Sequence, residues 1–135
     1  MEMVPSVPRK LLANARRAAR HAYAPYSRFR GGAAVPASSV KIASGANVEY
    51  ACYDLTNCAE CTAVFKADDD GARRIAAVAV RKPARNPAVR CGTWREVIDE
   101  FGPRAVILCV YNSQKRIETA LDCLLPDAFG PRNLR

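Results

Sequence analysis

Two short apolar runs in the second half of the chain restrict its fold more than any other feature. Residues 75–80 read IAAVAV between arginines, and residues 105–111 read AVILCVY. Short continuous apolar runs of this kind are typical of buried central strands. Residues 91–101 lie between the two runs and suit a helix, so this part of the chain predicts strand, helix and strand.

The rest of the chain adds helices and strands on both sides of this unit. Residues 8–23 carry leucines and alanines at helical spacing opposite arginines, which predicts an amphipathic first helix. Residues 31–38 and 39–48 predict two short strands joined by a turn. A helix over 58–67 and an edge strand near 115–119 complete the order. Such an order predicts an α/β domain, with helices on the faces of a mixed sheet.

Composition indicates an ordinary globular chain. Half of the 135 residues are hydrophobic and a quarter are charged, so we expect a single domain over residues 1–135. No apolar stretch follows the first charges, and no run approaches the roughly 20 apolar residues of a membrane span. We therefore expect a cytoplasmic protein with no membrane partner. In that setting the six cysteines favour metal binding, catalysis or burial over a disulfide framework.

A net charge of +8 raises the question of nucleic-acid binding. Much of it lies in residues 1–30, which hold seven arginines and lysines against Glu2 alone. A solvated face of the first helix explains this charge, and no RNA-binding motif with interleaved aromatic residues accompanies it. Specific nucleic-acid binding is therefore not favoured, and polynucleotide editing is a minor hypothesis that steeply salt-dependent binding would support.

Two cysteine-containing segments carry a chemical pattern. Residues 58–60 read Cys-Ala-Glu, and residues 90–94 read Arg-Cys-Gly-Thr-Trp. The zinc deaminase signature is a ligand-x-Glu followed by Pro-Cys-x-x-Cys. Zinc held by three protein ligands lowers the pKa of a bound water to about 7, and a carboxylate that is not a ligand can move its proton. The first half is complete here, whereas Trp94 stands at the last position of the second.

At these residues the chain resembles the small homotetrameric, zinc-dependent cytidine deaminases. The resemblance extends from about residue 12 to 134, and four ordered segments carry it: AYAPYSRFRGGAAV (22–35), GANVEYACYDLTNCAECTAVFKA (45–67), CGTWREVIDEFGP (91–103) and LLPDAFGPRNL (124–134). It implies a three-layer cytidine-deaminase-like fold, with a mixed five-stranded sheet and helices on both faces. It also implies hydrolytic deamination of cytidine, deoxycytidine or a closely related aminated nucleoside in pyrimidine salvage, by a homotetramer.

The resemblance also implies roles for individual residues. Glu60 would be the proton shuttle, and Cys58 and Cys91 would be zinc ligands. Asn47 and Glu49 would bind the ribose hydroxyls, although an ordinary turn with a solvated carboxylate would look the same in sequence. Phe29 would lie against the base and Phe129 would reach into a neighbouring subunit's site, although lone aromatic residues are more often core residues. Tyr53 would form a contact between subunits.

Two departures from the family pattern concern the metal. Trp94 replaces the third cysteine, and its indole cannot bind zinc. Cys61 follows the shuttle glutamate, where the family commonly carries an arginine whose charge offsets the thiolates. Arg90 or Arg95 could supply that charge instead.

Three hypotheses follow and stay open at the level of sequence. In the first, Cys61 replaces the missing ligand, since residues three apart on a helix have Cβ atoms about 5–6 Å apart and zinc–sulfur bonds are about 2.3 Å long. In the second, zinc is weakly bound or lost and the chain is a silent nucleoside-binding protein. In the third, Trp94 reshapes the pocket for a different nucleoside-like substrate. The other cysteines (Cys52, Cys109 and Cys123) are expected in the core, and His21 is not expected to bind metal.

Overall fold

The computed structural model describes residues 7–38, 41–84, 93–112 and 116–134. In chain order the helices and strands are α1 (Arg9–Ala18), β1 (Gly32–Pro36), β2 (Ile42–Ala46), α2 (Ala59–Asp69), β3 (Ala77–Lys82), α3 (Thr93–Phe101), β4 (Val106–Tyr111), β5 (Arg116–Ala120) and α4 (Leu121–Leu124). The strands form one sheet in the order β2-β1-β3-β4-β5. Only the central pair, β3 and β4, is parallel among these neighbours. The expected mixed five-stranded sheet is confirmed.

The two apolar runs are the parallel central strands. Every residue of β4 is buried, and so are Val78, Ala79 and Val80 of β3. The β3 strand differs from the prediction at both ends, because it begins at Ala77 and continues beyond Val80 to Lys82. Pairing with β4 up to Lys82, opposite Tyr111, supplies the backbone partners that the apolar pattern could not reveal.

Helices cover both faces of the sheet. Successive side chains of a strand point to opposite faces, and the buried residues divide accordingly. On one face, α1 contributes Leu11, Leu12 and Ala15 to a core with Ala34, Ala79, Val106, Leu108 and Val110. On the other face, α2 and α3 pack against alternate strand residues, with Ala63, Val64, Trp94 and Ile98 against Ala33, Val35, Val78, Val80 and Ile107. The three-layer α/β architecture is thereby confirmed.

Two glycines let the helices approach the sheet closely. A Cβ atom on Gly32 of β1 would lie 2.0 Å from the carbonyl oxygen of Ala15 in α1. One on Gly45 of β2 would lie 2.6 Å from the backbone nitrogen of Ala63 in α2. Backbone atoms cannot give way to a side chain at these distances, so the layer spacing requires glycine at both positions.

Most predicted boundaries hold within a few residues. The first helix ends at Ala18 and continues as a 3₁₀ turn over Ala19–His21. Helix α4 was not predicted, because four residues are too few to show a helical period. The predicted start of α3, Cys91, lies outside the described residues. No helix in the described part of the chain is long and apolar enough to cross a membrane.

Candidate active site

Asn47, Phe29 and Glu60 lie at one end of the sheet. The carboxyl ends of β3 and β4 lie there, together with the start of β1, since Gly32 pairs with Arg81 in an antiparallel register. Helix α2 begins beside this end: a Cβ atom on Gly31 would lie 3.9 Å from the Cβ of Ala59 and 3.8 Å from Oδ1 of Asn47. Sites of α/β sheets form at the carboxyl ends of parallel strands.

The start of α2 carries two cysteines and a glutamate within four consecutive residues. Cys58 is the N-cap residue, partly exposed, and its carbonyl oxygen accepts hydrogen bonds from the backbone nitrogen (3.1 Å) and Oγ1 (3.2 Å) of Thr62. Cys61 follows one turn later and is buried, and Glu60 between them is only 2 % exposed. Thiolates at a helix N-terminus are stabilised by the helix dipole.

This turn fits part of a zinc site. Two cysteine sulfurs one helical turn apart are a donor pair that zinc prefers, beside a carboxylate with little access to solvent. Within the residues that the structure describes, no three metal-ligating side chains come together. Cys91, the remaining predicted ligand, lies outside them, as does Arg90.

Glu60 forms a buried ion pair that the sequence did not reveal. Nζ of Lys82 lies 3.4 Å from Oε1 of Glu60, with the two side chains only 12 % and 3 % exposed. Among the described residues Oε1 has no hydrogen-bond partner, so the contact is electrostatic. The available signal was position: Lys82 lies two residues after Val80, and alternate residues of a strand share a face.

Trp94 belongs to the core rather than to an open cavity. It lies in the first turn of α3, is fully buried, and is part of the same apolar cluster as Cys61. Two cations approach its ring, Lys82 at 5.7 Å and Arg95 at 5.6 Å from the ring centre. Arg95 also donates a hydrogen bond of 2.9 Å to the carbonyl oxygen of Leu124. The indole of Trp94 is therefore packed in the core, with positive charge around it.

Two further titratable groups lie beneath the Glu60–Lys82 pair. Burial raises the pKa of the Cys109 thiol to about 11, while nearby Lys82 lowers it and Glu60 raises it by smaller amounts. Burial likewise raises the pKa of Tyr111 to about 12, with Cys109 the next cause. Both groups are protonated near neutral pH. Cys109 is a core residue, as predicted.

The core prediction is wrong for the other two cysteines. Cys52 and Cys123 are exposed, and neither is in a disulfide. Cys52 precedes a 3₁₀ turn and Cys123 lies in the short helix α4. Burial could not be inferred for either residue, because such short elements carry no apolar period.

Asn47 holds the loop that carries Phe29. Its Oδ1 accepts a hydrogen bond from the backbone nitrogen of Gly31 at 2.8 Å, and its Nδ2 donates to the carbonyl oxygen of Phe29 at 2.7 Å. The Phe29 ring remains about two-fifths exposed at the same end of the sheet. Asn47 therefore positions the segment that was expected to contact the base.

Glu49 binds the preceding part of the same loop. Its Oε1 accepts hydrogen bonds from the backbone nitrogens of Tyr26 and Ser27, each at 3.1 Å, and its Oε2 accepts one from the Ser27 hydroxyl. The Ser27 hydroxyl lowers the pKa of Glu49 below its usual value, against the opposing effect of burial, and the two backbone bonds lower it further. Glu49 lines a cleft of about 340 Å³ with Tyr26, Ser27, Tyr53 and Thr56.

Phe129 and Tyr53 point away from the core. They are 64 % and 74 % exposed, respectively. The segment that carries Phe129 is tied to α3, because Nη1 of Arg132 lies 3.3 Å from Oδ2 of Asp99 and its Nη2 donates to the carbonyl oxygen of Ala128 at 2.7 Å. A large apolar ring is therefore presented to solvent by an anchored segment.

A cleft larger than the one beside Glu49 lies elsewhere in the described structure. It has a volume of about 990 Å³ and lies at the amino ends of β3 and β4, between Lys10, Arg74 and Arg104. None of the predicted site residues that the structure describes lines it. Volume therefore does not identify the chemical site, whereas the group at the tip of α2 does.

Comparison with known proteins finds similarity to cytidine deaminases along most of the chain. Residues 5–110 match the family described as the cytidine and deoxycytidylate deaminase zinc-binding region. The chain is 42 % identical over 126 residues to a cytidine deaminase of Sporosarcina psychrophila, covering 93 % of each chain. It is 42 % identical over 125 residues to that of Halalkalibacterium halodurans, covering 92 % of this chain and 95 % of the relative.

A solved structure extends the comparison to three dimensions. The crystal structure of cytidine deaminase from Burkholderia pseudomallei superposes with a TM-score of 0.85 at 39 % identity, covering 92 % of this chain and all of the other. The mixed sheet and the cysteine–glutamate turn of α2 are thus accompanied by sequence and fold similarity over nearly the whole length. The chain belongs to the cytidine and deoxycytidylate deaminase family of zinc-dependent hydrolases.

Proposed function

We propose that this enzyme hydrolyses cytidine or deoxycytidine to the corresponding uridine product and ammonia. The observation that carries the proposal is the first turn of α2, where buried Glu60 lies between Cys58 and Cys61. The similar proteins from Sporosarcina psychrophila and Halalkalibacterium halodurans are cytidine deaminases, which supports this substrate class. The proposed unit is one deaminase domain over residues 1–135.

Cys58, Cys61 and Cys91 are the proposed zinc ligands. Cys58 and Cys61 are one helical turn apart, a spacing at which two sulfurs can share one metal ion. Trp94 cannot bind zinc and is packed in the core, so a third protein ligand has to come from another residue. Zinc, when bound, acts as a Lewis acid that makes water nucleophilic near neutral pH.

Glu60 is the proposed proton carrier. Its carboxylate accepts a proton from the attacking water and delivers protons to the ring nitrogen and the departing amine. Overall, water adds to the ring carbon, the carbon–nitrogen bond breaks, and ammonia leaves. Burial of Glu60 protects these transfers from bulk solvent.

The nucleoside is proposed to lie over the loop that Asn47 and Glu49 organise. Asn47 and Glu49 would bind the sugar hydroxyls, and Phe29 would contact the base. Since both polar side chains also hold the loop backbone, sugar binding and the position of Phe29 would be linked. A sugar hydroxyl could donate to the second oxygen of Glu49, which receives only the Ser27 hydroxyl among the hydrogen bonds described above.

A homotetramer is part of the proposal. The exposed rings of Tyr53 and Phe129 support it, because aromatic residues are enriched at protein–protein interfaces. Phe129 would complete the site of a neighbouring subunit. A cytoplasmic location in pyrimidine salvage agrees with thiolate ligands, which need a reducing compartment.

The test combines metal content with activity. Protein purified without added metal should contain close to one zinc per chain and convert cytidine, measured by the fall in its ultraviolet absorbance. Cys61→Ser should lose both zinc and activity. Cys109→Ser is the matched control, since Cys109 is equally buried and its thiol is protonated. Circular dichroism checks that both variants fold.

Each alternative has its own result. Full zinc in Cys61→Ser would show that Cys61 is not a ligand. A zinc-free wild-type chain that still binds nucleoside would identify the silent relative. Bound zinc without turnover of cytidine or deoxycytidine, but with turnover of another aminated nucleoside, would identify a pocket reshaped around Trp94.

A further inference from the structure

We propose that Lys82 is a positioning residue for Glu60, held in place by the ring of Trp94. The inference rests on the proposed function, because it assigns Lys82 a consequence for the proton transfers of Glu60. The carrying observation is the buried contact of 3.4 Å between Nζ of Lys82 and Oε1 of Glu60.

Strand β3 places Lys82 beside Glu60. Lys82 is the last residue of β3 and shares the sheet face of Val78 and Val80, which pack under α2 and α3. A lysine at this position must extend towards the helix starts, where Glu60 and Trp94 lie. The ammonium therefore reaches Glu60 from a rigid, paired strand rather than from a loop.

Trp94 restricts the ammonium further. Nζ of Lys82 lies 5.7 Å from the centre of the indole ring, within the range of a cation–π contact, and the ring is fully buried. A lysine side chain normally keeps considerable rotamer freedom. Contact with Glu60 at one side and Trp94 at another leaves the ammonium few alternatives, so it can fix the orientation of the carboxylate.

Charge gives a second reason for the pair. In the proposed site Glu60 lies between two cysteines that bind metal as thiolates, so negative charge is concentrated at the tip of α2. Lys82 is the basic side chain paired with Glu60 in the described residues. Arg95 lies against Trp94 and bonds to Leu124, so it adds positive charge nearby without forming the pair. Removing one partner of a buried pair leaves the other charge uncompensated.

The kinetic test replaces the ammonium and then restores a cation. Lys82→Met should lower kcat for cytidine by about 10–100-fold, the usual effect of losing a group that orients a metal-site residue. KM should stay within about twofold, since Lys82 is not placed against the substrate. Lys82→Arg should recover most of kcat. Lys66→Met is the control: the exposed Lys66 lies on α2, its ammonium binds the carbonyl oxygen of Ser44, and its loss should change neither constant.

A second readout does not depend on turnover. Thermal unfolding of the zinc-loaded protein should show that Lys82→Met lowers the midpoint when Glu60 is present, and leaves it unchanged or raises it in the Glu60→Gln background, where the ammonium has lost its partner. Such non-additivity is the signature of direct coupling between two side chains. Zinc content should equal that of the wild type in Lys82→Met, because Lys82 acts on Glu60 and not on the ligands.

The outcomes separate this inference from the proposed function. An active wild-type enzyme whose Lys82→Met variant keeps its kcat, or loses affinity without losing kcat, overturns the positioning role alone. Additive midpoint shifts, or a failure of Lys82→Arg to recover activity, also overturn it. A wild-type chain that turns over no nucleoside overturns both, even if the unfolding cycle shows coupling.

Discussion

Replacing Glu49 by glutamine should loosen the loop that carries Phe29. The carboxylate accepts three hydrogen bonds from Tyr26 and Ser27, and its pKa is lowered chiefly by the Ser27 hydroxyl. Hydrogen bonds to charged groups contribute about 1.5–3 kcal/mol each when well shielded. Glutamine keeps one acceptor oxygen but no charge, and water in the adjacent cleft competes. We expect Glu49→Gln to lower the free energy of unfolding by about 1–2 kcal/mol.

The stability lost in Glu49→Gln should decrease as the pH falls. Because the folded pKa of Glu49 is lower than its unfolded pKa, the ionised carboxylate stabilises the fold fully above the unfolded pKa. That contribution disappears as the pH falls through the folded pKa. The difference in stability between wild type and Glu49→Gln should therefore be largest near pH 7 and shrink below the normal carboxyl range.

Chemical denaturation at several pH values measures this difference. At neutral pH the thermal midpoint should fall by about 3–8 °C, the shift that corresponds to such a loss for a domain of this size. Glu100→Gln is the control, because Glu100 is exposed on α3. A Glu49→Gln variant whose stability deficit stays constant from pH 7 to pH 3, or grows on acidification, would refute the reasoning. Loosening the loop should also raise KM for cytidine.

Three other substitutions, the first with Gly31→Ala as its control, test the packing and the exposed ring of Phe129. Gly45→Ala should lower the free energy of unfolding by about 1–3 kcal/mol, because its Cβ would meet the backbone of Ala63. Gly31→Ala, whose Cβ would make contacts of 3.5 Å or more, should change it by less than about 0.5 kcal/mol. Equal thermal midpoints for the two variants would disprove the close approach of α2 to Gly45. Trp94→Ala should lower the free energy of unfolding, measured by urea denaturation, by about 3–5 kcal/mol. A decrease below about 1 kcal/mol would show that the indole is not part of the core. Phe129→Ala should lower kcat/KM for cytidine by about 2–10-fold with little change in fold stability, and unchanged kinetics would remove Phe129 from the site.

Much of the fold could be predicted because its signals are local. The runs at 75–80 and 105–111 became the central strands, and the alternation of leucines and arginines became α1. The distance between the helices and the sheet could not be predicted from local sequence signals. Whether Gly32 and Gly45 are turn residues or contact points depends on which helix lies above them, and this is decided by tertiary packing.

The candidate site also contains some contacts that follow from the sequence and others that only the tertiary structure shows. Cys58, Glu60 and Cys61 lie within one helical turn, so their proximity follows from the sequence once the helix is recognised. The bonds from Asn47 and Glu49 to the 26–31 loop did not follow, because they join segments that are distant in the chain. Cys91 lies outside the described residues, and its role as a ligand stays a prediction.

By itself, the sequence determined the family, the chain order of the strands and the three longer helices, and the cysteine–glutamate turn at the start of α2, since each depends on neighbouring residues or on short periods. Only the tertiary structure decided that Trp94 is packed as core and that Lys82 faces Glu60. Those contacts arise where a strand end and two helix starts meet across the sheet, and pairing and burial, rather than local preference, bring them together.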